Sequence, residues 1–134
     1  MMEVATKVSN PFRSLNIMNK VSCYVRTRRL LSGLLQKELR ALLPGAGRNR
    51  VSTTERDLHP PNGGEILAYE VIFGLPAREL FPKRYAEVEE AVIDRAYALH
   101  RSLEGKTDAK SLKLRIFLEG ILARAVERRQ HKAV

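Results

Sequence analysis

Tryptophan is missing from this 134-residue chain, and cysteine occurs once, at Cys23. A lone thiol closes no internal disulfide and builds no cysteine-based zinc site. On a helix it reads as a small buried hydrophobe. Aromatics are only 6% of the residues, which suits an interior packed by Leu, Ile, Val and Ala on helices better than a β-sandwich. His59, His100 and His131 are scattered without metal-ligand spacing, so no metal is expected. Neither a GxGxxG nor a Walker A pattern occurs, and no Ser/His/Asp or Cys/His grouping stands out. The expectation is a protein that is not an enzyme and carries no cofactor. No apolar run approaches the roughly 20 residues that span a bilayer. The first residues also lack the apolar stretch, roughly 7–15 residues, of a secretory signal. A cytoplasmic protein with no membrane partner is expected.

What the chain does have is positive charge, unevenly spread. The net charge is +9. Residues 1–60 hold eleven Lys and Arg against four acidic side chains, a net +7, which leaves +2 for the rest. Such a concentration is expected of a face that meets a polyanion. Hydrophobic content is 44% and charged content 29%, a globular composition long enough for one moderate core.

The pattern along the chain is helical throughout. Residues 1–19 carry no clear period and read as a flexible tail. A helix is expected over Lys20–Ser32, with Tyr24, Val25, Leu31 and the stem of Arg28 inward, closed by Gly33. In "QKELRALL", Gln36–Leu43, the residues Leu39, Leu42 and Leu43 recur at helical spacing, and Pro44-Gly45 stops the segment. A short helix over Arg48–Arg56 has Val51 as its one strong inward anchor. Asn62 is a good N-cap for "GGEILAYEVIFG", which is apolar nearly all round and so expected to be central. A short turn follows Pro76. The next helix repeats Tyr85, Val88, Val92, Ala96, Leu99 and Leu103 and closes at Gly105. The last places Leu114, Leu118, Ile121, Leu122 and Ala125 on one face. These two late stripes read either as core or as a seam against a second copy.

Taken in order, "RRLLSGLLQKELRALL", "RNRVSTTERDLHPP" and "ILAYEVIFG" resemble the helix-turn-helix domain of the lambda-repressor and Cro-like, or XRE-type, family. The matching places are Arg29, Gly33-Leu34-Leu35-Gln36, Glu38-Leu39, Val51-Ser52, Glu55 and Pro61. The resemblance implies an all-α fold: a helix-turn-helix domain of about five helices over 20–82, then a two-helix extension over 83–134 that can dimerise. It also implies a sequence-specific, double-stranded-DNA-binding transcriptional regulator, with an ion pair between Arg29 and Glu55 locking the reading helix.

In such a domain the second helix lies across the DNA backbone and the third enters the major groove. Gln36, opening the second helix, offers its amide to a phosphate. Arg48 and Asn49 sit at the first turn of the reading helix, where Arg can fork onto guanine and Asn onto adenine. Ser52 and Thr53 follow on the outer side, able to reach a base or a phosphate. Arg50 and Arg56 fall to backbone phosphates.

The chain departs from the family at four places. Leu35 replaces the N-cap serine, at a cost of about 1 kcal/mol if nothing compensates. Arg40 replaces a small residue and either crowds the third helix or points to phosphate. Asp57 replaces a glycine at a left-handed turn. Gly63-Gly64 loosens the start of the fourth helix. These departures support an alternative: a protein-interaction or antitoxin-like module with a degenerate helix-turn-helix and a protein partner on its C-terminal helices. An RNA-binding protein fits less well, for want of an aromatic stacking platform.

Overall fold

The computed structural model describes residues 20–133, with side chains over 20–130. The expected tail at 1–19 lies outside the described residues. Among the described residues there are seven helices and no strand: α1 (Val25–Leu31), α2 (Gln36–Leu42), α3 (Arg50–Glu55), α4 (Gly63–Phe73), α5 (Ala77–Leu80), α6 (Pro82–Ser102) and α7 (Ala109–Ala133). The fold is all-α, five short helices followed by two long ones. Where the length suggested one core, there are two compact units whose described parts are 20–86 and 87–133. The division falls inside α6.

In the first unit, Val25, Leu39, Leu43, Val51, Tyr69, Leu80 and Phe81 form one buried cluster. α2 packs on α3, α1 on α3, and α4 on α5. The Tyr69 ring is its largest fully buried side chain. It stacks on Phe73 at 6.3 Å and meets Phe81 edge-on at 5.7 Å, both favoured aromatic geometries.

α1 begins five residues later than expected. The chain before it is held by other partners: the Tyr24 N–H donates to the Leu80 carbonyl at 2.8 Å, and the Lys83 N–H to that of Val21 at 3.2 Å. Its inward residues are Val25 and Arg29, whereas Tyr24, Arg28 and Leu31 are exposed. Gly33, at φ +76°, turns the chain out of it. α2 buries Leu39, and Leu43 follows it inward at i+4 with extended backbone; Leu42 faces out.

The N-cap of α4 is built as a reciprocal pair. Asn62 Oδ1 accepts from the Glu65 N–H at 2.9 Å, and the Asn62 N–H donates to Glu65 Oε1 at 2.8 Å, satisfying two donors that a helix start otherwise leaves open. That offsets the flexibility of Gly63-Gly64. α4 is not central, however: Tyr69 is buried while Leu67 and Val71, four residues apart on one face, are exposed. An all-round apolar pattern left the buried face undecided, and α4 packs on one side only. Its Glu70 Oε2 accepts from the Ala77 N–H at 2.7 Å, capping α5.

In the second unit, Ala96 of α6 and Leu103, just past its end, cluster with Leu118 of α7, joined by Leu114, Ile121 and Leu122. The α7 face is the one its spacing predicts. The α6 stripe is met in part: Ala96 and, just past the helix, Leu103 are buried as expected, whereas Val88, Val92 and Leu99 are exposed and Glu90 and Ile93 are buried in their stead. Burial of Glu90 is compatible with an apolar core because Arg129 donates to it, next to an Arg128–Glu89 bond of 2.8 Å. At the start of α7, Asp108 accepts from the Ser111 N–H at 3.0 Å and from its hydroxyl at 2.7 Å.

Thr54 Oγ1 and the Tyr69 hydroxyl are buried without a partner at hydrogen-bond geometry. The Thr54 hydroxyl is nonetheless near enough to oppose slightly the effect of burial, which pushes the Tyr69 phenol up to about 12. A phenol raised in the fold stabilises it fully below its ordinary value near 10, and that contribution fades as pH rises towards about 12. Tyr69→Phe should therefore unfold in urea with neutral-pH stability within about 1 kcal/mol of wild type, the lost hydroxyl having had no partner. It should also lose stability less steeply than wild type above pH 10.

Candidate nucleic-acid interface

Three carboxylate–arginine pairs tie α3 and the turn after it to other parts of the unit, and each joins residues distant in sequence. Arg29 of α1 forks onto Glu55 of α3, Nε to Oε2 at 2.6 Å and Nη2 to Oε1 at 3.1 Å. Its Nη1 donates to the Leu34 carbonyl at 2.9 Å. The pair is buried, with side-chain exposures of 9% for Arg29 and 2% for Glu55. The Glu55 hydrogen bond holds the Arg29 guanidinium above its ordinary value, against the opposing effect of burial. Gln36 Nε2 donates to the same Glu55 Oε1 at 3.1 Å, so one carboxylate gathers α1, α2 and α3.

The second pair was not expected. Arg50 donates to both oxygens of Glu65, each at 2.6 Å, and to the Pro60 carbonyl at 2.6 Å. Glu65 thus serves the α4 cap and the α3 start together. Hydrogen bonds from Arg50 hold its carboxyl below the usual carboxylate range, overcoming burial. Arg50 therefore does not project towards phosphate: its fork is used inside the fold.

The third pair explains Asp57, which adopts φ +58° where a glycine was expected. Its Oδ1 accepts from Arg84 Nη2 at 2.7 Å. An aspartate bears a left-handed conformation better than most residues, and the ion pair fixes its charge on the α6 start. Leu35 offers no side-chain cap, yet its N–H donates to Glu38 Oε1 at 2.8 Å, half of a capping box.

The remaining site residues divide by whether their polar groups are already taken. Gln36 has spent one amide hydrogen on Glu55 and is otherwise exposed. Arg48 is exposed and precedes α3 instead of opening it; its carbonyl accepts from Arg40 Nη1 at 3.2 Å. Asn49 is the exposed N-cap residue, but its side chain caps nothing. Ser52 is half-buried on the side facing α2. Thr53 is tied back: its hydroxyl donates to the carbonyls of Asn49 and Arg50, at 3.0 and 3.1 Å, so it can only accept from a ligand. Arg56, the C-cap residue, is exposed. No bond of the Arg48 or Arg56 guanidinium to a carboxylate occurs among the described residues.

Between α2 and α3 lies an open cleft of about 180 Å³ lined by Gln36, Lys37, Arg40, Arg48, Val51 and Ser52. Lys37 was not singled out in the sequence, and Arg40 appeared there as a departure that either crowds the third helix or points to phosphate. The readable signal was charge at i and i+3 of one helix. No group of His, Cys, Asp or Glu among the described residues can hold a metal ion, and no described helix is long and apolar enough to cross a membrane.

No family model matches the chain, and neither a curated protein nor a solved structure matches it.

Two outcomes test this framework. Glu55→Ala strands the Arg29 guanidinium and should cost about 3–5 kcal/mol in urea unfolding, whereas Arg29→Met with Glu55→Leu should cost clearly less. Because the Glu65 carboxyl is depressed in the fold, its contribution is present above its ordinary value of 4.5. It is lost as pH falls through the lower folded value. Glu65→Gln should flatten the acid limb of stability against pH, measured by chemical denaturation at pH 3 to 6.

Proposed function

We propose that this chain is a cytoplasmic, sequence-specific DNA-binding transcriptional regulator with no catalytic step of its own. In this reading α3 enters the major groove of double-stranded DNA, α2 lies across the backbone, and the C-terminal helices pair two copies. One observation carries it. The arginines that hold the unit together, Arg29, Arg50 and Arg84, each take a carboxylate, whereas Arg48 and Arg56 at the two ends of α3 are left to solvent. Cations paired with a carboxylate inside the fold serve its structure; cations kept exposed around a short, polar, rigidly held helix suit phosphates and base edges.

The roles follow from what is unspent. Arg48 and Asn49 face the bases, Ser52 reaches a base or phosphate, and Gln36 and Arg56 take backbone phosphates. Arg50 is removed from the contact set, and Thr53 remains only as an acceptor. A second reading, a protein-interaction or antitoxin-like module, is favoured by the exposed Val88, Val92 and Leu99 on α6 and Ile116 and Phe117 on α7. Salt separates the two, since phosphate contacts make log K fall steeply with log salt.

Selection of bound sequences from a random duplex pool should return a two-fold symmetric site. On that site Arg48→Ala should cost about 1–3 kcal/mol and relax specificity, while Arg56→Ala should weaken selected and scrambled duplexes alike. Fluorescence anisotropy against salt measures both. A chain that shows no salt-dependent duplex binding is not a DNA-binding regulator.

A further inference from the structure

We propose that the cleft between α2 and α3 is a seat for a single DNA backbone phosphate, gripped by Lys37 and Arg40. Through its bond to the Arg48 carbonyl, Arg40 also sets the register of α3 on the duplex. This rests on the DNA-binding reading and adds to it a specific site with two residues outside the contact set above.

The cleft is small and open. At about 180 Å³ it has room for a tetrahedral oxyanion, and because it opens to solvent a phosphate still joined to a strand can enter it.

Its charge selects the sign. Lys37, Arg40 and Arg48 line it, with the amide of Gln36, the hydroxyl of Ser52 and the buried Val51, and no lining residue is acidic. The carboxylates nearest in sequence are engaged elsewhere, Glu38 with the Leu35 N–H and Glu55 with Arg29 and Gln36.

Arg40 is the distinctive member. It is half-buried, unlike the exposed Lys37, and Nη1 is anchored on the Arg48 carbonyl at 3.2 Å. That leaves the Nε and Nη2 donors of a guanidinium whose orientation is already restricted. A planar fork of this kind matches two phosphate oxygens, where an ammonium acts as a point charge. A phosphate held there touches, through one side chain, the carbonyl of Arg48, two residues before α3. Arg40 is thus a positioning residue as well as a phosphate ligand: moving the phosphate moves Arg48 and Asn49 relative to the base edges.

The test uses the full chain on its selected duplex, with each backbone phosphate neutralised in turn by a methylphosphonate. Wild type should show one phosphate per half-site whose neutralisation weakens binding about tenfold, the size of a charge-assisted contact. Arg40→Gln loses the charge, and its amide ends two bonds short of the Nη1 that meets the Arg48 carbonyl. It should be nearly indifferent to that one substitution, remain sensitive to the others, and show a salt slope smaller by about one. Arg40→Lys should restore the slope without the full affinity. Should the Arg40 variants melt early, Lys37→Ala, at an exposed position, carries the same comparison.

If Arg40→Gln and Lys37→Ala keep the wild-type phosphate profile and slope on a duplex that wild type binds specifically, the seat is wrong and the DNA reading stands. If wild type binds no duplex, both fail. Inorganic phosphate alone, followed through the Arg40 Nε–H resonance, distinguishes the source. Saturation of the cleft by free phosphate that the duplex does not displace would assign it to a soluble anion and overturn the proposal.

Discussion

The Glu55 carboxylate, almost wholly withdrawn from water, accepts two hydrogen bonds from Arg29 and one from Gln36. α3 has six residues, far fewer than the roughly 12–15 that an isolated helix needs in water. It persists because Val51 and Thr54 are buried on one side and because Glu55 at its end is bound by the two preceding helices. A buried charge pair is a poor source of net stability; what this one supplies is a fixed connection from the end of α3 to α1. The end so fixed is that of the short helix carrying Ser52, with Arg48 and Asn49 immediately before it. Arg50 and Glu65 do the same for the other end of α3, so the helix is clamped at both ends by ions that face inward.

With the clamps in place, the departures from the family pattern read as exchanges. Asp57 occupies a left-handed turn that glycine would take more easily, and Arg84 binds its carboxylate. Leu35 lacks the capping oxygen of a serine, and Glu38 still reaches back to its N–H. Arg40 does not crowd α3; it extends along the cleft to the Arg48 carbonyl. Each change costs a local contact and recovers one through a partner further along the chain. They alter which cations remain available to a ligand without removing the short helix.

Much of the architecture was readable along the chain. The stops at Gly33, Gly74 and Gly105, the Asn62 cap and the inner face of α7 all follow from rules that connect residues within one or two turns. The candidate site was legible in part for the same reason: "RNRVSTTER" is visibly too polar for a core helix yet has Val51 to anchor it. What it did not show was competition: Arg50 is taken by Glu65, the Thr53 hydroxyl by the backbone of its own helix, and one amide hydrogen of Gln36 by Glu55. α4 and part of α6 differ in facing. Apolar residues on more than one side of a helix leave the buried side to be chosen by the neighbour it packs against.

From the order of residues alone follow an all-helical chain, the positions where most helices stop, and a basic half containing one short polar helix. Periodicity, capping and turn chemistry act over four residues or fewer, so they are written in adjacent letters. Which arginines are spent and which are free was settled in three dimensions. Arg29 meets Glu55 across 26 positions, Arg50 meets Glu65 across 15, and Arg84 meets Asp57 across 27. A guanidinium can pair with any carboxylate within reach, and reach is a property of packing that no local spacing encodes.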